Sequence, residues 1–143
     1  MDNRSGVLIN NYKKAVYNLQ SRIYTYNTEN NEKYIEIIRE SIAQTNEICV
    51  ELAWKTARAL CLVLEPTINI GGSNTAIKQA LKFGVIKDET LARGILSAIQ
   101  NRNLSSHEYL LDSAMEGYID VVMEEYFPVY MELLDEFEEF GEE

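Results

Sequence analysis

Residues able to do chemistry concentrate in one short stretch. His107 is the only histidine, with Arg102 five residues before it and Tyr109 two after it. An imidazole titrates near neutrality and serves as general acid or base. A guanidinium keeps its charge and forks onto phosphate oxygens. Together they suit metal-independent cleavage of an RNA phosphodiester. A base takes the ribose 2′-OH proton, the alkoxide attacks the adjacent phosphorus, and arginine stabilises the anionic transition state. An acid must then protonate the leaving 5′-oxygen. One histidine fills one of these roles, so Arg102 and His107 as catalytic residues imply a homodimer with a composite cleft on its twofold axis.

The neighbours of this pair read as support. Asn103 either holds a helix end or touches phosphate. Ser105 and Ser106 read as caps rather than nucleophiles, because no second histidine is present to activate a serine. In one unbroken helix, Arg102 and His107 would sit roughly 140° apart around the axis and diverge. They converge only if the helix breaks between them. A break near Leu104 to Ser106 is expected, with Ser105 (a capping box to Glu108) or Asp112 starting the next helix.

Other chemistries are poorly served. One histidine and two distant cysteines make a zinc site improbable, and no metal or cofactor is expected. No glycine-rich phosphate loop of the two common kinds occurs. If Cys49 and Cys61 share a helix, they lie roughly 18 Å apart, too far for a disulfide. That fits a reduced, cytoplasmic protein. The N-terminus lacks the apolar core of a secretory signal, and no apolar run is long enough to span a membrane.

The net charge of −10 argues against nucleic acid until its distribution is counted. From Glu108 to Glu143 there are 13 acidic residues and no lysine or arginine, so the first 107 residues hold 10 acids and all 13 bases. RNA contact would therefore be local, and no DNA partner is expected. The acidic end, residues 132–143, reads as a solvated, fraying helix end, or as a docking surface for a basic partner. Arg93 and Arg102 are the bases nearest the site in sequence. Lys55 and Arg58 lie on a polar arc of their helix, read first as a solvated face and second as an approach to RNA.

The elements that must position these residues are helical. Leu8, Tyr12, Ala15, Leu19 and Ile23 mark a first helix from about Val7 to Tyr26. Asn30 or Asn31 caps a second from about Glu32 to Leu64, ended by Pro66, with a kink or break open given its length. Its stripe is Ile35, Ile38, Ile42, Thr45, Cys49, Leu52, Thr56 and Ala59. Ser73 caps a short helix to about Phe83, with Gly84 suited to a left-handed turn just beyond it. Asp88 caps a fourth helix ending near Arg102. The fifth covers about Asp112 to Phe140, with a kink expected at Pro128. No segment alternates with period two. The fold class is all-α: an up-and-down antiparallel helical bundle of four long helices and one short one, forming a single domain over residues 1–143.

Two motifs resemble a known family. Arg102 to Tyr109 looks like the R-x4-H-x-Y signature of HEPN domains. Glu51-Leu52-Ala53-Trp54-Lys55-Thr56 resembles a stretch of one HEPN subfamily, the nucleotidyltransferase substrate-binding proteins. The resemblance covers roughly residues 30 to 135, and the order of parts matches as well. It implies a HEPN-like bundle that dimerises through its motif-bearing helices. It also implies a partner, a minimal nucleotidyltransferase encoded nearby. Many HEPN proteins are RNase toxins with that partner as antitoxin, which can transfer AMP to the signature tyrosine, here Tyr109. An added nucleotide would put bulk and negative charge where the RNA phosphate must sit. The other implied role is a non-catalytic subunit that presents substrate to the nucleotidyltransferase. Trp54 in this setting reads as core packing between long helices.

Overall fold

The computed structural model describes residues 3–102 and 112–142. All regular structure among them is helical: α1 (Asn3–Thr28), α2 (Glu32–Leu64), α3 (Ser73–Lys82), α4 (Glu89–Asn101), α5 (Asp112–Val121), a π turn (Val122–Tyr126) and α6 (Phe127–Glu142). The π turn joins α5 to α6 directly, so the two make one long interrupted helix.

Local chemistry sets most boundaries. The Asn31 side chain accepts from the Lys33 N–H at 3.0 Å and starts α2. Glu65, ahead of Pro66, takes φ −136° and ψ 83°, and α2 ends there after 33 unbroken residues. Gly84 has φ +80°, the left-handed turn expected after α3. Asp88 caps α4 through the Thr90 N–H at 2.8 Å. The expected Ser73 cap is corrected: Gly72 occupies the cap position without a side-chain bond, and Ser73 is the first helical residue.

The local effect of Pro128 falls upstream of it. Proline has no N–H for the carbonyl of Glu124, and its ring crowds that carbonyl. The π turn lies just before it, closed by the Phe127 N–H on the Val122 carbonyl. One extra residue in that turn widens the helix where the ring needs room.

The pairing of helices follows from named contacts. The short link puts α1 antiparallel to α2: Arg22 Nε donates to the Ser41 hydroxyl, and the Thr56 hydroxyl donates to the Leu8 carbonyl at 3.4 Å. α6 runs against α1, with Tyr12 edge-on to Phe137 and its hydroxyl donating to the Tyr130 carbonyl at 2.8 Å. It also runs against α4, where a Cβ on Gly94 would come within 2.8 Å of Val129 Cγ2. This is the up-and-down bundle, with α3 as the short extra helix between α2 and α4.

α2 is the central element, touching every other helix. Its buried arc is therefore wider than a single stripe and includes Ala43, Asn46, Val50, Ala53, Ala57 and Leu60. In α1 the buried apolar set is Ile9, Tyr12, Ala15, Val16 and Leu19, so Leu8 and Ile23 stand at its edge. Asn46 is fully buried: its amide donates to the Tyr118 hydroxyl at 2.8 Å, and its carbonyl accepts from Tyr130. The acidic end is helical through Glu142. Leu133, Leu134 and Phe137 are buried, while Glu138 pairs with Lys13 at 3.6 Å and Glu139 with Lys87 at 2.8 Å.

Candidate functional site

Arg102 is the first signature residue and stands at the C-terminal end of α4, with φ −58° and ψ −30°. α4 ends at Asn101, one residue before Arg102. Asn103, Ser105, Ser106, His107 and Tyr109 lie outside the described residues. So does the expected break from Leu104 to Ser106.

Two contacts fix the end of α4. The Asn101 amide donates to the hydroxyl of Tyr126, inside the π turn. The fold thus ties the residue before the signature to the widened turn of the facing helix. Arg102 Nη1 lies 3.8 Å from Glu51 Oε1. Glu51 opens the tryptophan motif, so the two motifs meet in space although far apart in sequence. The second oxygen of Glu51 is buried without a hydrogen-bond partner among the described residues. A buried acceptor of this kind calls for a donor.

Arg102 also lines a polar cavity of about 470 Å³, together with Lys78, Gln100, Ser73 and Asn74. Two cations in one polar recess suit an anionic ligand such as a phosphate. The second cation is not the one expected from sequence distance. Arg93 points elsewhere and pairs with Glu89 at 2.7 Å on the exposed face of α4. Lys78 comes from α3, and only the α3–α4 packing brings it to Arg102.

Trp54 is partly buried against the core, in accord with its packing role. Its ring carries Arg58 at 5.2 Å and Lys55 at 5.8 Å from the centroid. The cysteines offer no nucleophile. Burial pushes the Cys49 thiol up to about 12 and the Cys61 thiol up to about 11, so both stay protonated and inert near neutrality. Among the described residues no group of three or more His, Cys, Asp or Glu could hold a metal ion. No described helix is long and apolar enough to cross a membrane.

Sequence reasoning missed Glu51 as a partner of Arg102, although it quoted the motif. An acid opening a motif whose Ala53 and Thr56 are buried was the available signal. It also missed Asn101 and Tyr126, whose pairing depends on the π turn.

Residues 8–139 match the family model described as nucleotidyltransferase substrate binding protein like. No curated protein matches the chain. A solved crystal structure of a protein from Thermus thermophilus is similar, with a TM-score of 0.65 and 21% identity over 88% of this chain and 94% of that one. That likeness concerns the fold.

Proposed function

Because the chain belongs to the nucleotidyltransferase substrate binding protein like family, we propose that it is the binding subunit of a nucleotidyltransferase encoded near it. The match over residues 8–139 carries this reading. The Arg102 end supports it, since a recess with two cations can receive an anionic substrate group without performing a reaction. Co-expression with the neighbouring nucleotidyltransferase tests it. The two chains should elute together from a sizing column, and the chain alone should elute as a homodimer. Separate elution at micromolar concentrations would overturn the subunit reading.

A second reading rests on Arg102 standing at a helix end beside Lys78. The homodimer is a metal-independent RNase toxin of HEPN type, and the nucleotidyltransferase is its antitoxin. His107 of one protomer takes the 2′-OH proton, Arg102 stabilises the pentacoordinate phosphorus, and the second protomer's imidazolium protonates the departing 5′-oxygen. Asn103 and Ser106 position this segment. AMP transfer by the partner would silence it: the Tyr109 phenolate attacks the α-phosphorus of ATP and pyrophosphate leaves. Expression without the partner should arrest growth in wild type but not in His107→Ala. Equal growth with intact RNA removes the RNase reading and leaves the subunit reading standing. An unchanged Tyr109 mass after incubation with ATP and the partner removes the AMP step alone.

A further inference from the structure

A second cavity, of about 760 Å³, opens between the first turns of α1, the last third of α2 and the loop after α2. Its size is that of a small-molecule site. Arg4, Lys55 and Arg58 line it, and no acidic residue does. None of these three cations belongs to an ion pair among the described residues. Lys55 and Arg58 are instead held near the Trp54 ring. A π face positions a guanidinium without neutralising it, so the charge remains available to a ligand.

Most of the remaining wall is apolar, with Ser5 and Asn69 as its uncharged polar members. Leu8, Leu62, Val63 and Ile70 contribute to it, and Val63 is 38% exposed. An uncovered apolar wall beside unpaired cations is unusual in a chain of net charge −10. Asn69 adds an amide with both donor and acceptor. A ligand that satisfies every part needs several negative charges, a flat apolar body and hydrogen-bonding edges. Bare phosphate leaves the apolar wall in water. A single carboxylate leaves cations unmatched.

We propose that this cavity binds a nucleoside di- or triphosphate. The phosphates lie on Arg4, Lys55 and Arg58, the base lies on the apolar wall, and Asn69 meets the base edge. The acidic remainder of the surface repels polyanions at a distance, which restricts binding to one short ligand held in the cavity. The site stands apart from the Arg102 recess and does not depend on the nucleotidyltransferase reading.

Calorimetry with ADP, adenosine and inorganic pyrophosphate as probes tests it on the intact chain. ADP should bind saturably, and both fragments should bind at least about tenfold more weakly, because each uses half of the wall. Arg58→Ala and Lys55→Ala should each weaken ADP about tenfold. Val63→Glu, which adds an acid at an exposed position, should do the same and keeps the test open if Arg58→Ala fails to fold. Arg93→Ala, on the exposed face of α4, should bind as wild type does. No ADP binding at millimolar concentration overturns the site. Pyrophosphate as tight as ADP overturns the nucleoside part, and unchanged binding in folded Lys55→Ala and Val63→Glu overturns the location.

Discussion

One face of α2 carries two regions that treat charge in opposite ways. Glu51, Lys55, Arg58 and Leu62 follow each other at spacings of four, three and four, and so share that face. At its first residue, Glu51 is matched by Arg102 at 3.8 Å, and the α4 end beside them is anchored to Tyr126. One and two turns on, Lys55 and Arg58 line a cavity without an acid in it. Attraction in the first region is used internally and fixes the position of an arginine. Attraction in the second is left for something that arrives. A positioned charge and an available charge are thus built on the same helix, and the difference lies in what the neighbouring helix supplies: Glu51 meets α4, whereas Arg58 meets α1 and an apolar loop.

The most severe way to break this comparison is to remove the buried polar group in the middle of α2, the helix both regions share. Asn46→Ala takes the carbonyl acceptor from the buried Tyr130 hydroxyl and one bond from the partly buried Tyr118 hydroxyl. At about 1–3 kcal/mol for the orphaned Tyr130 hydroxyl and less for Tyr118, the loss should be roughly 2–3 kcal/mol. Chemical denaturation followed by helicity and by Trp54 fluorescence should show both signals moving together to lower denaturant. If the fluorescence transition stayed put, the two regions would not share one cooperative unit.

Alkaline pH comes next. Cys49 lies in the turns of α2 near Glu51 and Cys61 in those near Arg58, and burial raises both, to about 12 and about 11. Burial also raises Tyr12 and Tyr130. A raised pKa means that the unfolded chain releases its proton first. The stability held by each protonated thiol is therefore complete below its unfolded value of 9.0 and is lost as pH climbs toward the folded value. Denaturation midpoints should fall from about pH 9 upward, and Cys49→Ala should flatten that fall more than Cys61→Ala. Equal slopes would mean that the middle of α2 and its C-terminal part are equally dry.

Tyr126→Phe separates the regions more gently. It removes the hydroxyl that accepts from Asn101, at a cost of about 1 kcal/mol. Hydrogen exchange should accelerate at the end of α4 and remain unchanged around Lys55 and Arg58. Acceleration in both places would show that the π turn stabilises the whole bundle rather than the Arg102 end.

Local signals were legible in the sequence and partner choice was not. Asn31, Pro66, Gly84 and Asp88 act within a few residues of themselves, through caps, backbone sterics or a positive φ, and each marks a real boundary. The all-α bundle follows from such signals together with the period of the stripes. Glu51 needed the far end of α4, and Lys78 needed α3 folded back on α4, so neither could be read along the chain. Arg4 is an intermediate case. With Leu8 against Thr56, antiparallel pairing places Arg4 opposite a residue near position 60, and the cavity could have been sketched from the short α1–α2 link alone. The buried face of α1 is shifted by one residue at Leu8, because Ile9 and Val16 form an equally good stripe and only tertiary packing chooses between them. The signature from Asn103 to Tyr109 was legible as a motif, and its geometry lies outside the described residues.

The finest test joins the two regions through their shared face. Glu51 is 46% exposed and Arg102 28%, so their attraction is screened and contributes at most about 1 kcal/mol to stability. Glu51→Gln should therefore leave the melting temperature nearly unchanged. Its larger consequence lies one turn away. Removing a negative charge four residues before Lys55 raises the potential of the cavity, and a unit charge at about 8 Å in water is worth about 0.5 kcal/mol. ADP should bind Glu51→Gln about twofold more tightly at low salt, with the gain fading as ionic strength shortens the reach of charge. Weaker binding, or a gain that salt does not erase, would mean that Glu51 acts on the cavity through the position of α4 and not through its charge. The two regions would then be coupled by structure, and the division between a positioned and an available charge would have to be redrawn.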